Sequence, residues 1–125
     1  MKSNITGLAH IGVFVKDINK SIDFYERLGF NLDQKDQHEG TPLAILSAGT
    51  CILELVGIGE ERVAGVIDHI AVTVDSVDEA VSNAKANGID IDASLIENMP
   101  LFGGIRNIFF AGPDGERIEF LEYTN

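Results

Sequence analysis

An internal repeat constrains this chain more than any other feature of its sequence. Residues 9–33, AHIGVFVKDINKSIDFYERLGFNLD, reappear without a gap as residues 68–92, DHIAVTVDSVDEAVSNAKANGIDID. The alignment matches His10 with His69, together with the Val and Ile positions that follow each of them. Repeats of this length are one supersecondary unit used twice. The chain is therefore predicted to contain two similar modules.

The length of the chain decides how those modules relate. A chain of 125 residues, 45 % hydrophobic, can fill one core and is too small for two independent ones. We therefore expect a single domain, residues 1–125, in which a first module (about 5–58) and a second module (about 66–124) share a core.

Each module has the pattern of a strand, a helix and further strands, an α+β arrangement. Asp17 and Ser76 are predicted to cap the two helices at their starts, and Gly29 to end the first. The predicted strands are 8–15, 30–36, 43–48, 51–57, 67–74, 89–96, 105–111 and 116–123. The first predicted helix begins after Asp17 and ends at Gly29, and the second spans 77–86.

The second module carries about six extra residues between its second and third strands, within 97–104. This segment, ENMPLFGG, contains Pro, two glycines and two large apolar residues. Such a loop suits a cover over a pocket, because loops carry function on a fixed scaffold. An ordinary variable loop is the favoured interpretation, and a cover over a pocket is the alternative.

Four residues at equivalent positions form the candidate site. His10 and His69 each face away from the Val/Ile stripe of their strand, because side chains alternate along a strand. Glu54 and Glu119 each lie within an apolar strand, where a carboxylate is costly unless it is paired, hydrogen-bonded or bound to a metal. Two imidazoles and two carboxylates are a ligand set suited to a divalent transition metal.

Composition excludes several classes of partner. With 20 acidic and 9 basic residues the net charge is −11, which disfavours nucleic acid and anionic membrane surfaces. No apolar run is long enough to cross a bilayer, so a cytoplasmic protein is expected. Cys51 is the single cysteine and cannot form an internal disulfide, and His38 lies in a polar stretch with no repeat partner.

These segments resemble the vicinal oxygen chelate superfamily, which includes glyoxalase I, fosfomycin-resistance proteins, extradiol dioxygenases and methylmalonyl-CoA epimerase. HIGVFVKDINKSIDFYERLGF, CILELV, DHIAVTV and GPDGERIEFLEY carry the resemblance. It implies two tandem βαβββ modules that form a curved, barrel-like mixed sheet around a metal site. The matching ligand positions are His10, Glu54, His69 and Glu119.

The presence of Glu54 favours the glyoxalase and epimerase branches of this superfamily. A glyoxalase I-like (lactoylglutathione lyase-like) member would be a metal-dependent lyase or isomerase of a small α-oxygenated carbonyl substrate, working through a metal-bound enediolate. Glu119 would be the main base and Glu54 the second carboxylate. The cofactor would be a divalent ion: Ni, Zn, Co, Mn or Fe. The alternatives are an epimerase like methylmalonyl-CoA epimerase, a fosfomycin-resistance-type thiol transferase, an extradiol dioxygenase and a ligand-sequestering binding protein.

The residues expected to contact the substrate depart from the glutathione-using glyoxalases. Those enzymes typically carry an arginine and an asparagine where this chain has Phe14 and Ile58, so an apolar or aromatic substrate is expected instead of lactoylglutathione. Arg106 and Arg117 are the cationic candidates for a substrate anion, although each could be a simple surface arginine. The site could form within one chain or across two, and a homodimer is predicted because exposed sheet edges and an open cavity need cover.

Overall fold

The computed structural model describes residues 8–61, 69–101 and 103–124. The elements in chain order are β1 (Ile11–Val15), α1 (Ile18–Leu28), β2 (Asn31–His38), β3 (Thr41–Ala48), β4 (Cys51–Gly57), β5 (Ile70–Thr73), α2 (Val77–Ala86), a 3₁₀ turn (Ala93–Leu95), β6 (Glu97–Met99), β7 (Ile105–Ala111) and β8 (Arg117–Tyr123). The predicted α+β fold of two βαβββ modules is confirmed. Residues 67 and 68 of a predicted strand, and residue 102 of the predicted cover loop, lie outside the described residues.

Each module builds its own four-stranded sheet. The first sheet has the strand order β1-β4-β3-β2 and the second the equivalent order β5-β8-β7-β6. In each sheet the first and last strands of the module pair in parallel and the other neighbours are antiparallel. Among the described residues, strands pair only within their own module, so the two sheets do not close into the barrel-like sheet that was predicted.

Side-chain caps set the limits of both helices as the sequence indicated. The Asp17 carboxylate accepts a hydrogen bond from the Lys20 N–H at 3.1 Å, and the Ser76 hydroxyl accepts one from the Glu79 N–H at 3.2 Å. Gly29 ends α1 with a φ of 111°, a left-handed conformation that costs glycine little.

The predicted strand at 89–96 was wrong. Ile89 and Ile91 are buried, which accounts for their alternation with acidic residues, but they pair with no strand among the described residues. The Asp92 carboxylate accepts hydrogen bonds from the N–H and the hydroxyl of Ser94, at 3.0 and 2.7 Å, and so begins the 3₁₀ turn. Alternation reports which side chains are buried and does not show that the backbone has a partner.

The hydrophobic core includes both helices, and each helix packs on the sheet of its own module. One cluster of buried side chains draws on both modules, among them Val15, Ile22, Leu46, Leu53, Leu55, Val77, Val81, Ile108, Ile118 and Phe120. The core-facing side of each sheet is therefore occupied, and the side chains on the opposite side of each sheet are the ones available to a ligand.

Polar contacts join α1 to the turn between β7 and β8. Asp114 accepts hydrogen bonds from the Lys16 N–H at 2.8 Å and from the Ser21 hydroxyl at 3.3 Å. The Tyr25 hydroxyl donates to Glu116 Oε2 at 2.9 Å. The turn GPDG, at 112–115, and the adjoining Glu116 thus attach the second module to the first.

Replacing Tyr25 by phenylalanine is expected to lower the free energy of unfolding by about 1–3 kcal/mol, because Oε2 of the partly buried Glu116 loses the Tyr25 donor. Burial and the neighbouring Glu116 raise the pKa of Tyr25 well above its usual range, so the hydroxyl stays protonated as the donor. Urea unfolding curves of the two proteins would measure the change as a shift in midpoint, provided that the dependence of the unfolding free energy on urea concentration is the same in both. The control is Tyr123→Phe, on a side chain that is 53 % exposed, and an equal loss in both variants would contradict the prediction.

Among the described residues, no helix is long and apolar enough to cross a membrane. The cytoplasmic location stays a prediction.

Candidate functional site

The first half of the candidate site lies on the outer side of the first sheet. Gly12 in β1 is directly opposite Glu54 in β4, and His10 lies two residues before Gly12, on the same side. His10 Nε2 and Glu54 Oε1 are 3.7 Å apart. Of the atoms that the structure describes, a Cβ added at Gly12 would come within 4 Å of Glu54 Oε1 alone, at an ordinary 3.8 Å, so the space beside this pair is open.

The second half repeats this arrangement on the outer side of the second sheet. Ala71 in β5 is opposite Glu119 in β8, and His69 lies two residues before Ala71. His69 Nε2 and Glu119 Oε1 are 3.2 Å apart. The two pairs are thus structurally equivalent, as the repeat predicted. They differ in burial, since the Glu119 side chain is only 9 % exposed whereas the Glu54 side chain is 29 % exposed.

Three side chains around the second pair hold it in place. Asn107 in β7 donates a hydrogen bond from Nδ2 to Glu119 Oε2 at 2.8 Å. The ring of Phe109 lies edge-on to His69, with centroids 5.2 Å apart, and the Arg117 guanidinium lies 4.4 Å from the Phe109 centroid. The imidazole and the carboxylate of this half-site are therefore both supported by neighbouring side chains.

The four predicted ligands do not meet within one chain. Across residues 8–61, 69–101 and 103–124, no three His, Cys, Asp or Glu side chains are close enough to share a metal ion. The structure instead brings them together two by two, as a first-module pair (His10 and Glu54) and a second-module pair (His69 and Glu119).

Each pair could supply half of the ligand set of a metal ion. Two donors bound to one transition metal at about 2.1 Å lie about 3.0–3.4 Å from each other. The second-module pair, at 3.2 Å, already has this separation, and the first-module pair, at 3.7 Å, is slightly wider. A nitrogen and an oxygen donor from each pair would give the four-donor set typical of zinc, nickel, cobalt, iron or manganese sites.

The structure separates the four residues predicted to contact substrate. Phe14 lies on the same side of the first sheet as Glu54 and is 44 % exposed, and Arg117 lies on the same side of the second sheet as Glu119. Arg106 lies on the opposite side of that sheet, where its guanidinium binds Asp78 of α2 at 2.8 and 3.0 Å. Arg106 therefore stands apart from the candidate site.

Ile58, the fourth of these residues, follows the end of β4. Its N–H donates to the Val15 carbonyl at 2.9 Å, and it lines a cleft of about 680 Å³ with Pro42 and Lys16. A second cleft of about 570 Å³ lies near the start of α1, beside Asp114. Neither cleft contains the paired residues, because each half-site is an open sheet surface and would become a cavity only when something covers it.

The predicted cover loop begins at the edge of the second sheet. Its first residues form β6, where Glu97 pairs with Asn107 and Met99 with Ile105. The Gly104 N–H donates to the Leu101 carbonyl at 2.8 Å, and the Leu101 side chain is 44 % exposed. The loop thus starts on the edge strand next to Asn107, with β7 between it and Glu119, and its role as a cover stays a hypothesis.

Sequence reasoning missed Asn107 and Phe109. The only available signal was a polar residue at an alternating position in the apolar strand IRNIFFA. That signal was too weak to use, because the strand register that places Asn107 beside Glu119 is not written in the strand itself.

Comparison with known proteins adds a family to this geometry. A family model described as the glyoxalase/bleomycin resistance protein/dioxygenase superfamily matches residues 7–120. The uncharacterized protein YwbC of Bacillus subtilis (strain 168) is 35 % identical over 124 residues, covering 90 % of this chain and 94 % of YwbC. A lactoylglutathione lyase of Escherichia coli O157:H7 is 29 % identical over 126 residues, covering 92 % of this chain and 91 % of the lyase.

The fold is also found among solved structures. A fosfomycin resistance protein, FosX of Listeria monocytogenes, crystallised with Mn(II) and sulfate, superposes with a TM-score of 0.70 at 24 % identity. The match covers 96 % of this chain and 94 % of FosX.

Proposed function

The chain belongs to the glyoxalase/bleomycin resistance protein/dioxygenase superfamily, and from that premise we propose that it is a metal-dependent lyase or isomerase of the glyoxalase type. One observation carries the proposal: at equivalent positions of two modules, an imidazole nitrogen and a carboxylate oxygen face each other at 3.7 and 3.2 Å. The relatives named as a lactoylglutathione lyase and as a FosX bound to Mn(II) support it. The substrate would be a small α-oxygenated carbonyl compound.

We further propose that a second copy of the chain completes the site. Two protein donors are too few for a transition-metal site, which takes at least three. In a two-fold symmetric dimer, the first-module pair of one copy would face the second-module pair of the other, and symmetry would create two such sites. The side of the first sheet that carries Glu54 supports this arrangement, because it presents partly exposed apolar side chains that a partner would cover: Phe14, Leu43, Ile45, Ile52 and Val56.

His10, Glu54, His69 and Glu119 would hold the divalent ion, whose identity is unknown. When bound, the ion would supply positive charge that makes the C–H next to a substrate carbonyl more acidic and stabilises the negative charge left by deprotonation. Glu119 would take the proton, and Glu54, the more exposed carboxylate, would act as the second acid/base group. Arg117, close to Glu119 on the same strand, would bind a substrate anion.

The apolar surroundings of Glu54 favour a substrate without glutathione. Phe14 lies beside Gly12 on β1, on the side that carries Glu54, and cannot form a salt bridge with a charged tripeptide. An apolar or aromatic group of the substrate would instead pack on Phe14 and on the neighbouring aliphatic side chains.

Metal content and turnover together test the proposal. Purified protein loaded in turn with Ni, Co, Zn, Mn and Fe should retain about one ion per chain and should isomerise a small α-hydroxyketone. Protein that retains no ion after supplementation would overturn the proposal. Tight binding of an aromatic ketone without metal and without turnover would instead identify a sequestering binding protein, the alternative that the exposed apolar surface around Phe14 favours.

Substrate choice can be tested at Phe14. We expect kcat/KM for a glutathione-free aromatic α-hydroxyketone to exceed that for a glutathione adduct by about tenfold or more. The reason is that Phe14 offers the charged tripeptide no charge-assisted contact. Phe14→Arg should narrow this ratio, whereas Leu95→Arg, at an exposed 3₁₀ position, should leave it unchanged. A wild-type preference for the adduct would contradict the prediction.

A further inference from the structure

Asn107 is a buried polar side chain that the proposed chemistry does not yet use. It lies in the middle of β7 and is 5 % exposed. Its Nδ2 donates to Glu119 Oε2 at 2.8 Å, while its Oδ1 is enclosed and has no hydrogen-bond partner among the described residues. A buried acceptor without a donor is costly, so the position carries a polar group in spite of an energetic penalty.

The equivalent position in the first module shows that the fold does not need an amide there. Asn107 pairs with Leu121, two residues after Glu119, and Leu43 pairs with Val56, two residues after Glu54. Leu43 therefore occupies the place of Asn107 in a sheet of the same topology. Because a leucine fills that place in the first module, backbone geometry alone does not explain the asparagine in the second.

What the amide changes is the orientation of the carboxylate. The last torsion of a glutamate side chain is broad, so a carboxylate without a donor can rotate. With Oε2 held by Asn107, Oε1 is the oxygen that faces His69 Nε2, at 3.2 Å. Glu54 has no such donor among the described residues, and its distance to His10 Nε2 is the longer 3.7 Å.

We propose that Asn107 is a positioning residue that holds Glu119 Oε1 beside His69 Nε2, so that the second-module pair is preorganised to bind a divalent ion. The inference rests on the proposed metal-dependent function. It explains why the two half-sites, alike in their predicted ligands, differ in the separation of histidine and glutamate, 3.7 and 3.2 Å. It also explains the unpaired Oδ1, since the amide is retained for the hydrogen bond made by its nitrogen.

The test compares three substitutions in the full-length protein by Co²⁺ binding. Asn107→Leu copies the first module, and Asn107→Asp keeps the shape but replaces the donor by a repelling carboxylate. Both are expected to weaken Co²⁺ binding by about 10- to 100-fold, the usual effect of losing a residue that orients a metal ligand. Asn107→Gln keeps the amide and should recover part of the loss.

Two further readouts separate positioning from a general structural role. The visible absorption of bound Co²⁺ should change in Asn107→Asp, because the ligand geometry changes, while thermal unfolding of metal-free Asn107→Gln, which keeps the neutral amide, should shift by only a few degrees. If Asn107→Leu does not fold, Co²⁺ binding by Asn107→Asp, which has the shape of asparagine, tests the positioning role in its place.

Failure of the proposed function and failure of the positioning role give different results. Wild-type protein that binds no Co²⁺ would overturn the proposed function itself. Wild-type protein that binds Co²⁺, with Asn107→Asp and Asn107→Leu binding equally tightly and with the same spectrum, would overturn the positioning role alone.

Discussion

Replacing Glu119 by glutamine is expected to lower turnover by about a thousandfold and to weaken metal binding. Glutamine has almost the same shape but is neither a good base nor an anionic ligand. Because Glu119 is 7 % exposed and lies 3.2 Å from His69 Nε2, no water-filled space separates the lost charge from the imidazole. Rate assays and metal analysis on the same preparations would measure both effects.

The matched control is Glu26→Gln, on the exposed side of α1. It removes the same charge far from either pair and should leave both rate and metal content unchanged. The metal-free Glu119→Gln protein should be no less stable than wild type, because a buried carboxylate is replaced by a neutral amide. Full metal content together with undiminished turnover in Glu119→Gln would exclude Glu119 from the site.

The second large effect is expected when two inactive variants are mixed. If each site combines the first-module pair of one copy with the second-module pair of the other, His10→Ala and His69→Ala should each be inactive as homodimers. Unfolding and refolding them together should restore about a quarter of wild-type activity. Half of the dimers formed at random are mixed, and each mixed dimer has one intact site of two.

Mixing variants of the same pair provides the control. His10→Ala refolded with Glu54→Ala should stay inactive, because every site in every dimer then lacks one of the two first-module ligands. A site built within one chain predicts the opposite of the main result: no activity would return when His10→Ala and His69→Ala are mixed. That outcome would contradict the composite site while leaving the metal-dependent chemistry open.

Much of the fold could be predicted because the same order of strand and helix patterns occurs in both copies of the repeat. Helix α1 was predicted from Asp17 and Gly29, residues whose local hydrogen bonds and conformation act within a few positions of the chain. The strand predicted at 89–96 failed because Ile89 and Ile91 alternate as a strand does but are buried beneath other elements without strand pairing. An alternating sequence pattern predicts which side chains are buried. It does not predict which element covers them, because that depends on the tertiary structure.

The candidate site, like the fold, could be predicted from the sequence only in part. Repeat alignment identified His10, Glu54, His69 and Glu119, because equivalent positions in two copies are visible in the sequence itself. It could not show that Arg106 lies on the helix side of its sheet, bound to Asp78, since that depends on the register between neighbouring strands. Register is set by contacts between residues distant in the chain.

By itself, the sequence determined that the chain holds two copies of a unit with a strand, a helix and further strands, and that each copy carries one histidine and one glutamate at matching positions. Periodicity and alignment are local properties of the chain, and these suffice for such statements. Only the tertiary structure decided that, among the described residues, the sheets do not pair with each other, that the four predicted ligands lie in two pairs, and that Asn107 supports one pair alone. These facts depend on how the two modules pack through a shared core and on which strands become neighbours, and both are settled by contacts across the whole chain.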